Sequence, residues 1–208
     1  MEILFIDPLF LVINKPSGLL SVPGRGPDMQ DCVVSRIRAL FPDCITQPAV
    51  HRLDMDTSGL MVVARSKEAH RHLSIQFEKR LVKKHYIAML EGRLDQQSGE
   101  IALPFRLDPN NRPYQIHDPL HGKMGISRWR LIGIEGKWSR VEFTPLTGRT
   151  HQLRLHAAHP LGLGIPMVGD RLYGKGQQSG ELQLHATYLA FQHPASGQKM
   201  SYHSTPSF

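Results

Sequence analysis

One run of nine residues, His51–Gly59, holds the side chains best suited to chemistry. It reads HRLDMDTSG and places Asp54 between two large apolar residues, with Arg52 two positions earlier. In an extended segment, residues i and i+2 point to the same side, so Arg52 and Asp54 would share a face. A carboxylate in an apolar setting needs a partner because its desolvation is costly. Asp54 is therefore either half of a structural ion pair or a prepared reactive group.

Other residues offer competing chemistry. Asp56 is the nearest rival of Asp54, and we assign it to capping the turn that Thr57–Gly59 form. His156 and His159 have the helical spacing of metal ligands, and His151 precedes them. No adjacent carboxylate completes a hydrolytic set, so the sequence predicts no metal site and a metal-dependent hydrolase is the weaker alternative.

The elements that must position these residues form an irregular mixture of strands and helices. Without a regular βαβ alternation, this order predicts an α+β fold with a largely antiparallel sheet. Helices are predicted over 31–40, from a Ser66 cap to about residue 80, and over 150–158. Strands are predicted at 9–13, 60–64, 84–90, 128–134, 139–144, 187–191 and 199–203, and long loops within 103–125.

The composition limits the classes of protein to which the chain can belong. The 208 residues carry a formal net charge of +7 and a sequence pI near 9.6, which suits a polyanionic partner such as nucleic acid or an anionic membrane surface. No leader is recognisable, and no apolar run reaches the ~20 residues that a membrane span requires. Cys32 and Cys44 are expected to be buried free thiols in a reducing cytoplasm, although a single bridge between them stays open.

Six blocks, in order along the chain, resemble one known family. The segment His51–Gly59 is similar to the signature of the RluA-type pseudouridine synthases, which isomerise uridine in RNA to its C-glycoside. The other blocks that resemble this family are Asn14–Gly24, Lys83–Ala88, Thr147–His156, Val168–Gly174 and Leu184–Ala186. Three places depart from the family pattern, namely Asp56, the segment 156–166 and the segment 122–127.

The resemblance implies the pseudouridine synthase fold, a long mixed and mostly antiparallel sheet with flanking helices and a central catalytic cleft. It implies one catalytic domain over 1–208, with no separate N-terminal S4-like RNA-binding domain. The activity implied is isomerisation of a specific uridine in a stem-loop of ribosomal RNA, transfer RNA or both, as in the compact dual-specificity branch. The reaction needs no cofactor, and we expect a cytoplasmic monomer without a membrane partner.

The same resemblance assigns roles to five residues. Asp54 is the catalytic residue, acting as a nucleophile or as a base that helps to expel the uracil. Arg154 is its expected ion-pair partner, and a guanidinium favours the charged form of an Asp. Arg52 either pairs with Asp54 or fills the gap left by the flipped nucleotide. Tyr86 stacks on the uracil, and Leu184 forms the apolar wall on its other side.

RNA contact is expected from cations in or beside loops and strand ends. These are Lys15, Arg25, Lys83, Lys84, Arg112, Lys123, Arg149 and Lys175. The alternative is a non-catalytic RNA-binding or RNA-folding protein on the same scaffold. Such a protein need not keep Asp54, Tyr86 and Arg154 together, so their joint presence favours an enzyme.

Overall fold

Short, nearly continuous apolar runs form the central strands of the first of two units. The computed structural model describes residues 1–208, and this unit comprises residues 1–84 and 185–208. Across its sheet the strands are β1 (Glu2–Ile6), β2 (Phe10–Lys15), β3 (Ser58–Ala64), β9 (Leu184–Gln192) and β10 (Lys199–His203). β2 and β3 are almost wholly buried, as their apolar sequences predict for strands covered on both faces.

All pairings in this sheet are antiparallel except that of β3 with β9, so the sheet is mixed. The parallel pair brings Gly59 opposite Ala186. Gly59 has φ +108°, and a Cβ there would overlap the Ala186 carbonyl oxygen. Only glycine therefore allows β3 to begin at this point, five residues after Asp54.

Two helices and a short 3₁₀ helix, Pro27–Met29, complete the first unit. α1 (Val33–Leu40) begins two residues later than predicted, at a capping box in which Cys32 Sγ accepts from the Ser35 amide at 3.3 Å. α2 (Lys67–Glu78) begins at the predicted cap, because Ser66 Oγ accepts the Ala69 amide proton at 3.1 Å.

The second unit, residues 85–184, contains an entirely antiparallel sheet and one helix, α3 (Gln152–Ala158). Across the sheet the strands are β4 (Lys83–Leu90), β8 (Trp138–Pro145), β7 (Lys123–Glu135), β5 (Ser98–Leu107) and β6 (Gln115–His117). Because the chain divides into two compact units, the single catalytic domain over 1–208 stays a prediction.

The prediction of long loops within 103–125 was only partly right: residues 108–114 and 118–122 are loops, whereas β5, β6 and β7 occupy the rest. β5 continues to Leu107 and pairs with both β6 and β7. Pro104 interrupts the apolar pattern, yet Ile101, Leu103 and Phe105 alternate along the strand and are all buried. Burial of one face of β5 therefore outweighs the turn-forming composition of the segment that follows it.

The remaining expectations concern cysteines and membrane spans. Cys32 and Cys44 are both buried and free. None of the helices is long and apolar enough to span a membrane.

Candidate active site

Asp54 lies in an irregular loop, not in a strand. Residues 51–57 precede β3, and a turn closes where the Thr57 amide donates to the Asp54 carbonyl at 3.2 Å. The prediction that Arg52 and Asp54 share the face of a strand was therefore wrong. Arg52 is exposed, Asp54 is half-buried, and Leu53 between them is buried. The loop buries Leu53 and leaves Asp54 partly accessible to solvent.

The segment after β2 fixes the backbone on both sides of Asp54. Ser21 Oγ donates to the Leu53 carbonyl at 2.6 Å and accepts from the Leu53 amide at 3.1 Å. The Gly18 amide donates to the Met55 carbonyl at 3.0 Å. Leu53 and Met55 are the two neighbours of Asp54, so these bonds fix the backbone from which the Asp54 side chain projects.

Lys15 reinforces this arrangement from within the protein. Its Nζ donates to the carbonyls of Pro16, Leu19 and Met55 at 2.9, 2.7 and 2.9 Å. The prediction that Lys15 contacts RNA at the surface was wrong, because the residue is 0% exposed. The sequence placed Lys15 at a strand end beside a turn, which did not reveal that its amine bonds to a loop 40 residues away.

Lys15 is also the cation buried near both loop carboxylates. Burial lowers the pKa of Lys15 to about 8, and the attraction of Asp54 and Asp56 opposes that shift. Asp56 is only 4% exposed, whereas Asp54 is half-buried. The Asp56 carbonyl accepts a hydrogen bond from Ser17 Oγ, and its turn-capping role stays a prediction.

His51 anchors the start of the same loop, a role that sequence reasoning missed. Its ring stacks on Phe77 of α2, with centroids 4.4 Å apart and planes at 19°. Its Nε2 accepts the Val62 amide proton at 3.1 Å, so the hydrogen of the neutral ring lies on Nδ1. Burial, assisted by the nearby Lys84 charge, lowers the pKa of His51 to about 3. This uncharged histidine therefore joins the loop to α2 and β3.

A buried histidine joins the first residue of β3 to the C-terminal segment. His185 Nδ1 lies 2.8 Å from Ser58 Oγ, and its Nε2 lies 2.9 Å from Ser204 Oγ. Burial lowers the pKa of His185 to about 4, so the ring is neutral and donates through one nitrogen only. The two serine hydroxyls supply the complementary donor and acceptor.

The second unit carries the other three predicted site residues. Tyr86 lies on β4 opposite Phe143, is partly buried and packs against the apolar core of this unit. Leu184 belongs to the same core and is 3% exposed. Arg154 lies on α3, is 2% exposed, and stacks over the Tyr173 ring at 5.4 Å from its centroid.

Asp170 is a partner of Arg154 that the sequence did not reveal. Arg154 Nε donates to Asp170 Oδ2 at 2.9 Å, and Nη2 donates to Oδ1 at 2.5 Å. Asp170 is fully buried and also accepts the amide protons of Leu172 and Tyr173. The only sequence signal for this pair was that Asp170 lies within the Val168–Gly174 motif block. A buried guanidinium needs an acidic partner, because an unpaired buried charge is costly. Pairing of Arg154 with Asp54 stays a prediction.

Gln152 connects the residues that precede Arg154 to strand β7 through hydrogen bonds of its side chain. Its Oε1 accepts from Thr147 Oγ1 at 2.7 Å and from the Arg149 amide at 3.1 Å. Its Nε2 donates to the Ile126 carbonyl at 3.0 Å and to Ser127 Oγ at 2.9 Å. This buried amide thereby fixes the start of α3 against β7, and with it the direction of the helix that carries Arg154.

The histidines of α3 are not arranged as metal ligands. No group of three His, Cys, Asp or Glu side chains is placed to hold a metal ion. His156 is fully buried, packs edge-on against Phe105 at 5.9 Å, and has no hydrogen-bond partner at either ring nitrogen. Burial lowers the pKa of His156 from 6.5 to about 4.

This unpaired ring makes the stability of the protein depend on pH. The unfolded chain takes up a proton at position 156 near pH 6.5 and the folded chain only near pH 4, so stability falls as pH drops through this window. The His156→Leu variant should remove that loss, which amounts to about 2 kcal/mol at pH 5. Urea unfolding at pH 7 and pH 5 measures it; an equal loss of stability in both proteins would contradict the burial of an uncharged ring.

The chain is similar in sequence to known RNA pseudouridine synthases. The family model described as RNA pseudouridylate synthase matches residues 9–159. A Pasteurella multocida protein named dual-specificity RNA pseudouridine synthase RluA is 44% identical over 100% of this chain and 94% of its own length. The Escherichia coli protein of the same name is 40% identical over the same shares.

A solved structure supports the α+β assignment independently. Human RNA pseudouridylate synthase domain containing 1 superimposes with a TM-score of 0.80 at 28% identity, covering 100% of this chain and 84% of that one. The predicted pseudouridine synthase fold is thereby confirmed.

Proposed function

The chain belongs to the RluA-type RNA pseudouridine synthases, which are isomerases acting on RNA uridines, and we propose on this basis that Asp54 is its catalytic residue. The observation that carries the proposal is the fixed loop around this carboxylate. Both neighbours of Asp54 are held by the segment after β2, while Asp54 itself stays partly accessible. A reactive group must be positioned in this way to meet a substrate atom in a productive geometry.

The isomerisation breaks the bond between N1 and C1′, rotates the uracil, and joins C5 to C1′ with loss of the C5 proton. The ionised Asp54 carboxylate either attacks C1′ or acts as the base that helps to expel the uracil. Both routes return the carboxylate unchanged. Every atom of the product except the exchanged proton comes from the substrate, so we propose that the reaction proceeds without a cofactor.

We further propose that the other four predicted residues bind the substrate. A uridine within structured RNA must be flipped out, at a cost of roughly a few kcal/mol. The exposed side chain of Arg52 is suited to filling the vacancy in the RNA. Tyr86 offers an aromatic face to the uracil and Leu184 an apolar wall. Arg154, whose guanidinium Asp170 orients, is proposed to pair with Asp54.

The target is proposed to be a stem-loop of ribosomal RNA, transfer RNA or both. The relatives described above carry dual-specificity names, and a net charge of +7 suits a polyanionic substrate. Of the surface cations predicted to contact RNA, Arg25, Lys83, Arg112, Lys123, Arg149 and Lys175 are exposed and Lys84 is half-buried. We propose that the protein acts as a monomer in the cytoplasm.

Tritium release from RNA labelled at uridine C5 tests this function. Wild-type protein should release tritium from bulk ribosomal RNA, bulk transfer RNA or both, because the C5 proton is lost when C5 joins C1′. The RNA that supports release identifies the target class. Absence of release from both RNAs would instead favour a non-catalytic RNA-binding or RNA-folding protein.

A further inference from the structure

The connection between α2 and β4 concentrates positive charge on the surface. Lys79, Arg80 and Lys83 are all exposed, and none of them forms a salt bridge. Glu78 is the only acid between residues 78 and 84. These three cations, named here the junction cations, directly precede the part of β4 that carries Tyr86.

Several other arginines of the protein surface have an acidic partner. Such pairs are Arg36–Asp31, Arg106–Asp118, Arg128–Glu100, Arg130–Glu142 and Arg140–Glu135. A cation paired with a carboxylate has little charge left for a phosphate. The junction cations therefore differ from these surface arginines in being available to an external anion.

The backbone at Arg80 adds an independent observation. The Leu81 amide donates to the Gln76 carbonyl at 2.9 Å, and the Arg80 amide donates to the Phe77 carbonyl at 3.1 Å. This pair of bonds is a Schellman motif, whose left-handed position is usually occupied by glycine. Here that position is Arg80, with φ 58°.

A left-handed arginine is unfavourable relative to glycine, because its Cβ crowds the backbone. The position requires nothing of the side chain for folding, since the hydrogen bonds of the motif come from the backbone. Arginine at this site therefore lowers stability relative to glycine and places a guanidinium on the surface. An outlier of this kind points to a role outside folding.

We propose that the junction cations bind the phosphate backbone of the substrate RNA, with Arg80 as the principal contact. This inference rests on the proposed function, and it adds a surface that the cations predicted from sequence did not include, apart from Lys83. The guanidinium of Arg80 can donate two parallel hydrogen bonds to one phosphate, and Lys79 and Lys83 add charge on either side of it. The contact positions the RNA along β4 and reads no base, so it should serve any RNA that the enzyme accepts.

The Arg80→Gly variant separates RNA binding from folding. Glycine suits the left-handed position, so the melting temperature should stay within about 2 °C of wild type or rise. The Kd for fluorescein-labelled bulk transfer RNA, measured by anisotropy, should rise roughly 5- to 10-fold. The slope of log Kd against log salt should decrease by about 0.7 to 0.9, the value for one phosphate contact. In tritium-release assays the loss should appear as a higher KM more than as a lower kcat.

The matched control is Arg38→Ala, which removes one exposed arginine from α1. It should leave both Kd and the salt slope unchanged. An unchanged Kd and slope in Arg80→Gly, or an equal weakening in Arg38→Ala, would overturn the proposal. Weaker binding in Arg80→Gly alone would support the surface even if wild-type protein released no tritium, which would contradict the proposed catalysis separately.

Discussion

The Asp54→Asn variant is expected to lose C5 tritium release by roughly 10⁴-fold or more, because an amide can neither attack C1′ as an anion nor act as a base. Its RNA affinity should stay within a few-fold of wild type, since asparagine has nearly the same shape and the loop is held by backbone contacts at Leu53 and Met55. Single-turnover release and anisotropy binding, measured on the same RNA, provide the two values.

Asp56→Asn is the matched control, two residues further along the same loop. Asp56 is 4% exposed, so this change is expected to affect stability more than chemistry and to leave release within about tenfold of wild type. If Asp56→Asn abolished release while Asp54→Asn retained it, the catalytic assignment would pass to Asp56. Retained release in both variants would remove the carboxylate mechanism altogether.

The second large effect concerns the buried pair of the other unit. Arg154→Met should destabilise the protein by about 3–5 kcal/mol, because it leaves the Asp170 carboxylate buried without its cation. Both partners are almost inaccessible to water, with side-chain exposures of 3% and 0%. Urea unfolding at pH 7 measures the difference in the free energy of unfolding.

Arg36→Met provides the control, since Arg36 pairs with Asp31 at a similar distance of 2.7 Å but in solvent, with exposures of 43% and 64%. Exposed pairs contribute about 0–1 kcal/mol, so this change should be small. The double variant Arg154→Met/Asp170→Leu should recover part of the loss, because no buried charge then remains. A loss below about 1 kcal/mol in Arg154→Met would mean that water reaches the Asp170 carboxylate.

Local patterns predicted much of the fold. The Ser66 cap of α2, the buried run of β2 and the α+β class depend on neighbouring residues or on short periodicities, which a sequence displays directly. The error at β5 arose where a local signal conflicted with packing. Pro104 and the turn-rich residues after it indicated loops, whereas pairing with β6 and β7 stabilised a strand.

The sequence by itself predicted Asp54 as the reactive residue, and it determined the order of the six motif blocks and, through them, the family. The tertiary structure alone decided what surrounds them: Lys15 is buried beneath the Asp54 loop, His51 stacks on Phe77, and Arg154 pairs with Asp170. These contacts join residues 16 to 40 positions apart. Burial and ion pairing depend on which distant segments meet in the folded chain, and no local pattern specifies that meeting.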